Sequence, residues 1–495
     1  MKPNDWLTLW HKGKDCWNSY INENPEFIDF SDMDFSGQDI IDFSGYNFPN
    51  GVSFNRSNLV ASKILFSNTI FFDNSNKSNH SVIFSEAKIE ADLIEFREAN
   101  FGNAMVDFSR IKFRAKKIDF SGTIFNGEMT VFSESNFNCP SIKFTKTTFN
   151  CSQKVDFSGC KFNGDLSFSN SKIKSSFVSF HDVDFGPNNI SICDCEIFGD
   201  NIELKYVKKY KNPIVFKGCQ IKGSFSINAS ILDASIIMNE LTLDGSFDCK
   251  NNIFNYSVAL KFKHVTKNSF LSLKNSTFNS NLTIEGCFYE IPDLRNTYIK
   301  NHMSLGELEI KPKYSNVSYS MKNYPIKIKT PFKIANSDED HDKIRRLKEL
   351  LEINRAHQRA LDFHVLEIKA RRWHITKLIS QIPEYLFGAF SDYGRSLLKP
   401  LSYFVSLKII CSVFYSHLSN TDCCTIGESL AKSFLYSLSS SLGFISQAKD
   451  VREINQSLLF NPIPDTVQAL SIFEGIFSAI LIFLFILSLR NRFRI

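Results

Sequence analysis

Phe96-Arg-Glu-Ala-Asn-Phe101-Gly-Asn-Ala-Met-Val-Asp-Phe108-Ser-Arg-Ile-Lys-Phe113 opens a stretch whose phenylalanines continue at Phe120, Phe125, Phe132, Phe137, Phe144 and Phe149, in alternating steps of five and seven residues. The period is twelve, which no helical face reproduces. Within a unit such as Ile118-Asp-Phe120-Ser-Gly-Thr-Ile-Phe125-Asn-Gly127, apolar residues alternate with polar ones until Ser-Gly and Asn-Gly break the run, the pattern of short strands joined by tight corners. A fixed period of this kind means that each unit buries its apolar face only by stacking on its neighbours. These ten phenylalanines are therefore expected to form the core of a β-solenoid.

The repeat resembles that of pentapeptide-repeat proteins. The resemblance implies a right-handed parallel β-helix with a square coil, in which Phe or Leu points inward and a small residue sits two positions before it. Ala99, Thr123, Ser135, Thr147, Cys160 and Ser171 stand two positions before Phe101, Phe125, Phe137, Phe149, Phe162 and Ile173. On the other faces that position is large (Val106, Ile111, Ile118, Ile142, Val155), and the seven-residue step exceeds five, so a coil wider than a strict square is expected.

Forty-nine Phe among 495 residues are mostly accounted for by the repeat, which makes them architecture rather than an aromatic binding site. A net charge of +5 is small for this length and favours neither nucleic-acid wrapping nor an acidic nucleic-acid mimic. The twelve Cys form no CxxC pair and have no His at zinc-site spacing; they read as reduced core thiols, with no metal and no cofactor expected. The N-terminus lacks the apolar run of a signal peptide, so it is expected to stay in the cytoplasm.

Residues 1–26 carry Trp6, Trp10 and Trp17 and should cap the first coil, whose strand edges would otherwise stand open. Gly13-Lys-Asp-Cys-Trp17-Asn18 followed by Pro25 is similar to the lead-in of bacterial pentapeptide-repeat proteins. Residues 27–312 continue the rhythm, with Lys205–Pro213 reading as an inserted polar loop and later units using Leu and Ile. About 24 residues per coil and strands ~4.8 Å apart predict roughly twelve coils in a rod of about 55 Å. No carboxylate pair and no nucleophile–His set recurs at one level, so an enzyme is not expected. Residues 313–336 read as a linker. Residues 337–390 read as a cytoplasmic helical connector opened by Ser337-Asp-Glu-Asp340, with one long helix or two between Asp342 and His374. His357 and His364 lie two turns apart, too far to share one ion without a third ligand.

Residues 391–495 read as a membrane domain. Leu401–Leu418 and Val467–Leu489 are long and apolar enough to cross a hydrocarbon core of about 30 Å. Arg371, Arg372, Lys377, Arg395 and Lys399 precede the first span, and Arg490, Arg492 and Arg494 follow the second. This places both termini and the solenoid in the cytoplasm, with the chain multi-pass in the inner membrane. Between the spans, Thr425-Ile-Gly-Glu428 is a capping box opening a serine-rich run, and 429–445 is expected to be re-entrant, with irregular backbone covered by protein or lining water. Span, short helix, turn and span is the layout of two-span potassium-type channels. Ser441-Leu442-Gly443-Phe444-Ile445 resembles a degraded Thr-Val-Gly-Tyr-Gly filter, with Ile445 in place of the last Gly. The block from Ser391 to Ile495 is similar to the channel-like tail of some bacterial pentapeptide-repeat proteins.

The candidate pore residues are Ser440, Ser441, Leu442, Gly443, Phe444, Ile445 and Glu474, with Lys408 as an intramembrane charge. Ionisable residues at such depth are functional candidates. Lys408 either snorkels to the cytoplasmic surface or takes part in function; Glu474 faces a pore or the short helix of its own or a neighbouring subunit. The two backbones differ by about 10 Å in depth, so a direct pair requires an extended Lys408. The resulting expectation is a homo-oligomeric channel, a tetramer by analogy with the channels it resembles, whose solenoid binds a protein or small molecule. The alternative is a membrane-tethered, non-conducting scaffold.

Overall fold

A computed structural model describes residues 3–71, 81–320, 327–376, 378–419, 426–441 and 446–493. It divides into two compact units: one holds residues up to 315 together with 342–354, the other 316–341 and 355 onward.

The first unit is a parallel β-solenoid of about eleven turns. Successive coils pair in register, 24 residues apart along most of the length, as in Phe113–Phe137 and Phe149–Ile173, and strands such as Ser141–Thr145 pair with the coil below and the coil above. Side chains on each face therefore stack on their equivalents. Phe96, Phe120 and Phe144 form one column, with centroids 4.9 Å apart and planes within 6° and 1°. Phe101, Phe125 and Phe149 form a second at 4.7 and 4.8 Å. Phe108–Phe132 at 5.0 Å and Phe113–Phe137 at 4.8 Å start two more. Where the Phe108–Phe132 column meets the other two it does so edge to face, Phe96 on Phe108 at 83° and Phe101 on Phe108 at 80°, so these rings are stacked along the axis and T-shaped across it, an arrangement that the ring quadrupole favours. All ten phenylalanines of the quoted stretch are buried.

The five-and-seven rhythm has a geometric cause. The seven-residue step carries a second inward residue, Ile118 before Phe120 and Ile142 before Phe144, both fully buried. Two residues after each of these phenylalanines the chain turns through a left-handed residue, Glu98, Arg110, Glu134 and Lys146 having φ between 54° and 59° and Gly122 72°. The corner N–H groups stay in the ladder, Arg110 N donating to Ser133 O at 2.9 Å and Gly122 N to Thr145 O at 2.8 Å.

The small inward residues satisfy carbonyls of the coil below. Thr123 donates to Phe96 O at 2.8 Å, Ser135 to Phe108 O at 2.7 Å, Thr147 to Phe120 O at 2.8 Å and Cys160 to Phe132 O at 2.9 Å. Cysteine thus stands where serine and threonine stand elsewhere. The ten described cysteines are free, and burial pushes the Cys151 thiol up to about 11, which leaves it protonated and unreactive.

Both ends are closed. α1 (Pro3–His11) and α2 (Lys14–Glu23) cover the first coil: Trp10 stacks on Phe43 at 5.2 Å and donates to Asp42 O at 2.9 Å, and Trp17 donates to Asn47 O at 3.0 Å. At the other end lies α3 (Asp340–Ile353), which the sequence assigns to a connector. Its Ile344, Leu347, Leu350 and Leu351 are buried, Arg346 donates to Thr297 O at 2.6 Å, and Asn354 accepts from Met303 N at 3.0 Å. The reason is the one that demands the first cap: the last coil also exposes apolar rings and unpaired edges.

Two further local readings change. Lys205–Pro213, read as an inserted loop, belongs largely to the ladder, Lys208–Lys217 pairing with neighbouring strands on both sides. The segment read as a linker contains Tyr314–Ser320 and Lys327–Ala335, which pair in a two-stranded sheet. In both, β-branched or aromatic residues alternate with lysine, and the ladder outweighs the polar composition.

The second unit contains α4 (His357–Arg371), α5 (Leu378–Ser391), α6 (Leu398–Leu418), α7 (Ile426–Ser441), α8 (Ser446–Leu459) and α9 (Asp465–Arg492). α6 and α9 are long and apolar enough to cross a membrane.

Phe120→Ala should lower the stability of a fragment spanning residues 1–354 by about 3–5 kcal/mol, because a ring is lost from between two others. Lys116→Ala, at an exposed site, should stay within about 0.5 kcal/mol. Gly223 lies with φ 106°, and a Cβ there would meet Gly199 O at 1.8 Å, so Gly223→Ala should cost more than a simple left-handed penalty of about 1–2 kcal/mol. Urea unfolding of the three variants checks the order.

Candidate functional site

Within the second unit, α6 and α9 are inverted in polarity. The buried residues of α9 are Val467, Ser471, Glu474, Ser478, Leu481, Leu484 and Ser488, spaced by three and four; those of α6 are Pro400, Lys408, Cys411, Ser412 and Tyr415. Facing outward are Ile472, Phe473, Ile476, Ile480, Phe483 and Ile486 on α9, and Val405, Ile409, Ile410, Val413 and Phe414 on α6. Only 22% and 28% of the two apolar stretches are buried, so most of their apolar surface faces outward. In water this arrangement exposes apolar surface at a cost of about 25 cal/mol per Å²; in hydrocarbon it is the favourable one, with small and polar residues mediating helix contact.

Lys408 and Glu474 meet at the centre of this polar interior. Nζ lies 2.6 Å from Glu474 Oε1, and the residues are 1% and 0% exposed. Lys408 does not snorkel; its stem extends inward and closes the difference in backbone depth. Its other partners are Ser478 Oγ at 2.9 Å, the Ser437 carbonyl at 3.3 Å and the Ser441 hydroxyl. Glu474 accepts from Tyr415 OH at 2.9 Å, from the Ser437 hydroxyl and from Ser440 Oγ at 3.4 Å. Ser441 also bonds Ser478 at 3.0 Å. The ammonium thus sits against the C-terminal carbonyls of α7, where a positive charge is favoured by the helix dipole, and both carboxylate oxygens are satisfied.

Tyr415, Tyr436 and Phe460 cover the cluster on one side, the two tyrosine rings packing edge to face at 5.0 Å. A buried ion pair carries a large desolvation cost and holds only when its remaining donors and acceptors are satisfied. That requirement accounts for Ser437, Ser440 and Ser441 at the end of α7, which bond the pair; Ser429, Ser433, Ser437 and Ser441 lie four apart on one buried face, where Ser429 bonds Ser416 and Ser419 instead.

Of the candidates named from the sequence, Ser440, Ser441, Lys408 and Glu474 come together here, within one protomer. Glu474 takes the short helix of its own chain as neighbour. Leu442, Gly443, Phe444 and Ile445 lie outside the described residues and begin directly after Ser441. Sequence reasoning missed Tyr415, Ser437 and Ser478 as partners. Helical spacing points to them: Tyr415 is two turns after Lys408, Ser478 one turn after Glu474, and the serines of α7 repeat every four. It also missed α8. Comparison with protein-family models, curated proteins and solved structures finds no match to this chain, so the functional reading rests on the site itself.

A second candidate surface lies on the solenoid. Gly199, Gly223 and Gly245 are register partners on successive coils, and where they stack the face has no side chains. The resulting groove encloses about 710 Å³ and is lined by Lys174, Lys222, Asp200, Asp244 and Phe198.

Removing one member of the buried pair strands the other. Lys408→Met and Glu474→Gln should each destabilise the helical unit by about 3–5 kcal/mol, and the double variant should recover most of the loss, because the stranded charge is what costs. A double-mutant cycle on protein in lipid nanodiscs, followed by thermal unfolding, measures the coupling; a value near zero removes the pair from the account.

Proposed function

We propose that this protein is an oligomeric inner-membrane channel or pore-like effector, with a cytoplasmic solenoid of the right-handed pentapeptide-repeat type that binds a protein or small-molecule partner. The observation that carries the reading is the ion pair retained among serines in a helical unit whose outward faces are apolar. A plain anchor needs no buried lysine and glutamate, and such groups at membrane depth mark pathways or moving parts. The Lys408 contact holds the end of α7 at the point where the filter-like segment 442–445 begins. One chain supplies two spans and one short helix, so a closed path requires several copies, four by analogy with two-span channels. The glycine-lined groove is the surface assigned to the solenoid's partner.

The second reading is a tethered, non-conducting scaffold. It is favoured by the neutrality of the pair: Lys408 balances Glu474 within the protomer, which removes the ring of free carboxylates that a cation site would use.

Reconstituted wild type should pass current in planar bilayers, and Gly443→Val should abolish it while leaving assembly intact. Absence of current under every potential tried, or conduction by Gly443→Val equal to wild type, selects the scaffold. Topology is read separately. In a background lacking Cys423 and Cys424, Lys449→Cys should react with an impermeant maleimide in intact spheroplasts, and Asn336→Cys only after lysis; the reverse order places the solenoid outside the cytoplasm.

A further inference from the structure

Cations gather where α4 ends and α6 begins. Lys369 and Arg371 lie in the last turn of α4, Arg372 follows it, Arg395 stands in the turn before α6, and Lys399 is in the first turn of α6. Three carboxylates face them. Glu384 on α5 takes Arg371 at 2.6 Å and Arg372 at 3.4 Å, while Asp362 and Asp392 take Arg395 at 3.1 and 2.9 Å. Glu367, also on α4, lies 3.8 Å from His364.

Arg371, Arg372 and Arg395 take the three acids, which leaves over two of the five cations, the exposed Lys399 and Lys369. Half-buried, Lys369 lies 5.9 Å over the Tyr393 ring, and no ion pair involving it is found among the described residues. Burial, then the charge of Arg395, hold its pKa below the usual lysine range; Arg372 and Lys399 act the same way, and of its charged neighbours Asp392 opposes them. The Nε atoms of Arg371 and Arg395 are buried with no partner. A site with surplus positive charge is built for an anion.

The surroundings say which kind. α5 exposes Ile379, Ile382 and Leu386, at 83%, 60% and 51%, on one stripe at helical spacing, while Gln381 is buried and Glu384 faces the arginines. Such a helix suits the plane of a bilayer interface. Leu398 and Leu401, both exposed, carry the apolar surface into α6. Trp373, Tyr385 and Tyr403 stand nearby, the residues that favour headgroup level; Trp373 reaches the Tyr385 hydroxyl at 3.4 Å. The end of α9 joins the same level, Asn491 donating to Gly394 O at 3.4 Å and Gln358 to Arg492 O at 3.2 Å.

We propose that Lys369, Arg395 and Lys399 bind the phosphate of an anionic phospholipid, with α5 lying in the interface and its Ile379–Ile382–Leu386 stripe towards the acyl chains. The inference rests on the membrane part of the reading above and is independent of conduction. A soluble phosphate shares the headgroup chemistry but makes no use of the stripe.

The test uses the full chain extracted from vesicles of mixed phosphatidylcholine and phosphatidylglycerol. Native mass spectrometry should show phosphatidylglycerol retained over phosphatidylcholine, Lys369→Gln and Lys399→Gln each weakening retention about fivefold, and Lys369→Arg restoring it. In phosphatidylcholine alone, phosphatidylglycerol should raise the melting temperature of wild type and not that of the double Gln variant. Equal stabilisation by inorganic phosphate overturns the lipid assignment in favour of a soluble anion. Protein that inserts but retains both lipids alike overturns this inference alone. Failure to float with vesicles overturns the membrane reading itself.

Discussion

Stacking in register is the constraint on which the solenoid depends. Each coil presents rings that only the next coil buries, and each strand has donors and acceptors that only the next strand satisfies, so no coil is stable by itself. The same constraint explains the small inward residues, which return hydroxyls or thiols to the carbonyls of the coil below, and it explains the two helical caps. Trp10 and Trp17 at one end, and Ile344, Leu347 and Leu351 at the other, do for the end coils what Phe120 does for its neighbours. The caps come from chain segments nearly the whole solenoid apart in sequence because the physical problem is the same at both open ends.

The helical unit obeys the opposite rule. Where α6, α7 and α9 pack, the outward surface is Ile, Phe, Val and Leu, and the interior holds serine, tyrosine, lysine and glutamate beside a few apolar residues. A charge placed among helices has to be neutralised in place, since neither lipid nor a distant counter-ion serves it. The pair Lys408–Glu474 with its serine and tyrosine partners meets that demand within one protomer and at the same time clamps the end of α7 between α6 and α9. Whatever moves the end of α7 therefore has to rearrange a satisfied ion pair.

A different logic holds at the ends of the spans. There charges are not fully balanced, aromatic rings gather, and α5 turns an apolar stripe outward. The balanced pair in the interior and the surplus of cations at the helix ends are thus two different electrostatic solutions within one helical unit.

The solenoid was legible in the sequence because its signal is repeated: one substitution of Leu for Phe does not hide a period carried by many coils, and inward alternation follows from backbone geometry alone. The two long apolar helices α6 and α9 were legible because length and apolarity are read directly from the chain. Serine spacing in α7 and the two-turn interval from Lys408 to Tyr415 also lay in the sequence, although their meaning depends on which helix faces which. What only the tertiary structure decided was long-range. α3 reads as a solvated charged helix until the open end of the last coil is placed against Ile344 and Leu347. Glu474 reads equally as a pore residue or a partner of the short helix until the stem of Lys408 is seen to point inward. Local sequence determines period, polarity and length, because these are set by neighbours along the chain; which buried charge finds which partner is set by residues tens of positions away, and only packing brings them within hydrogen-bond distance.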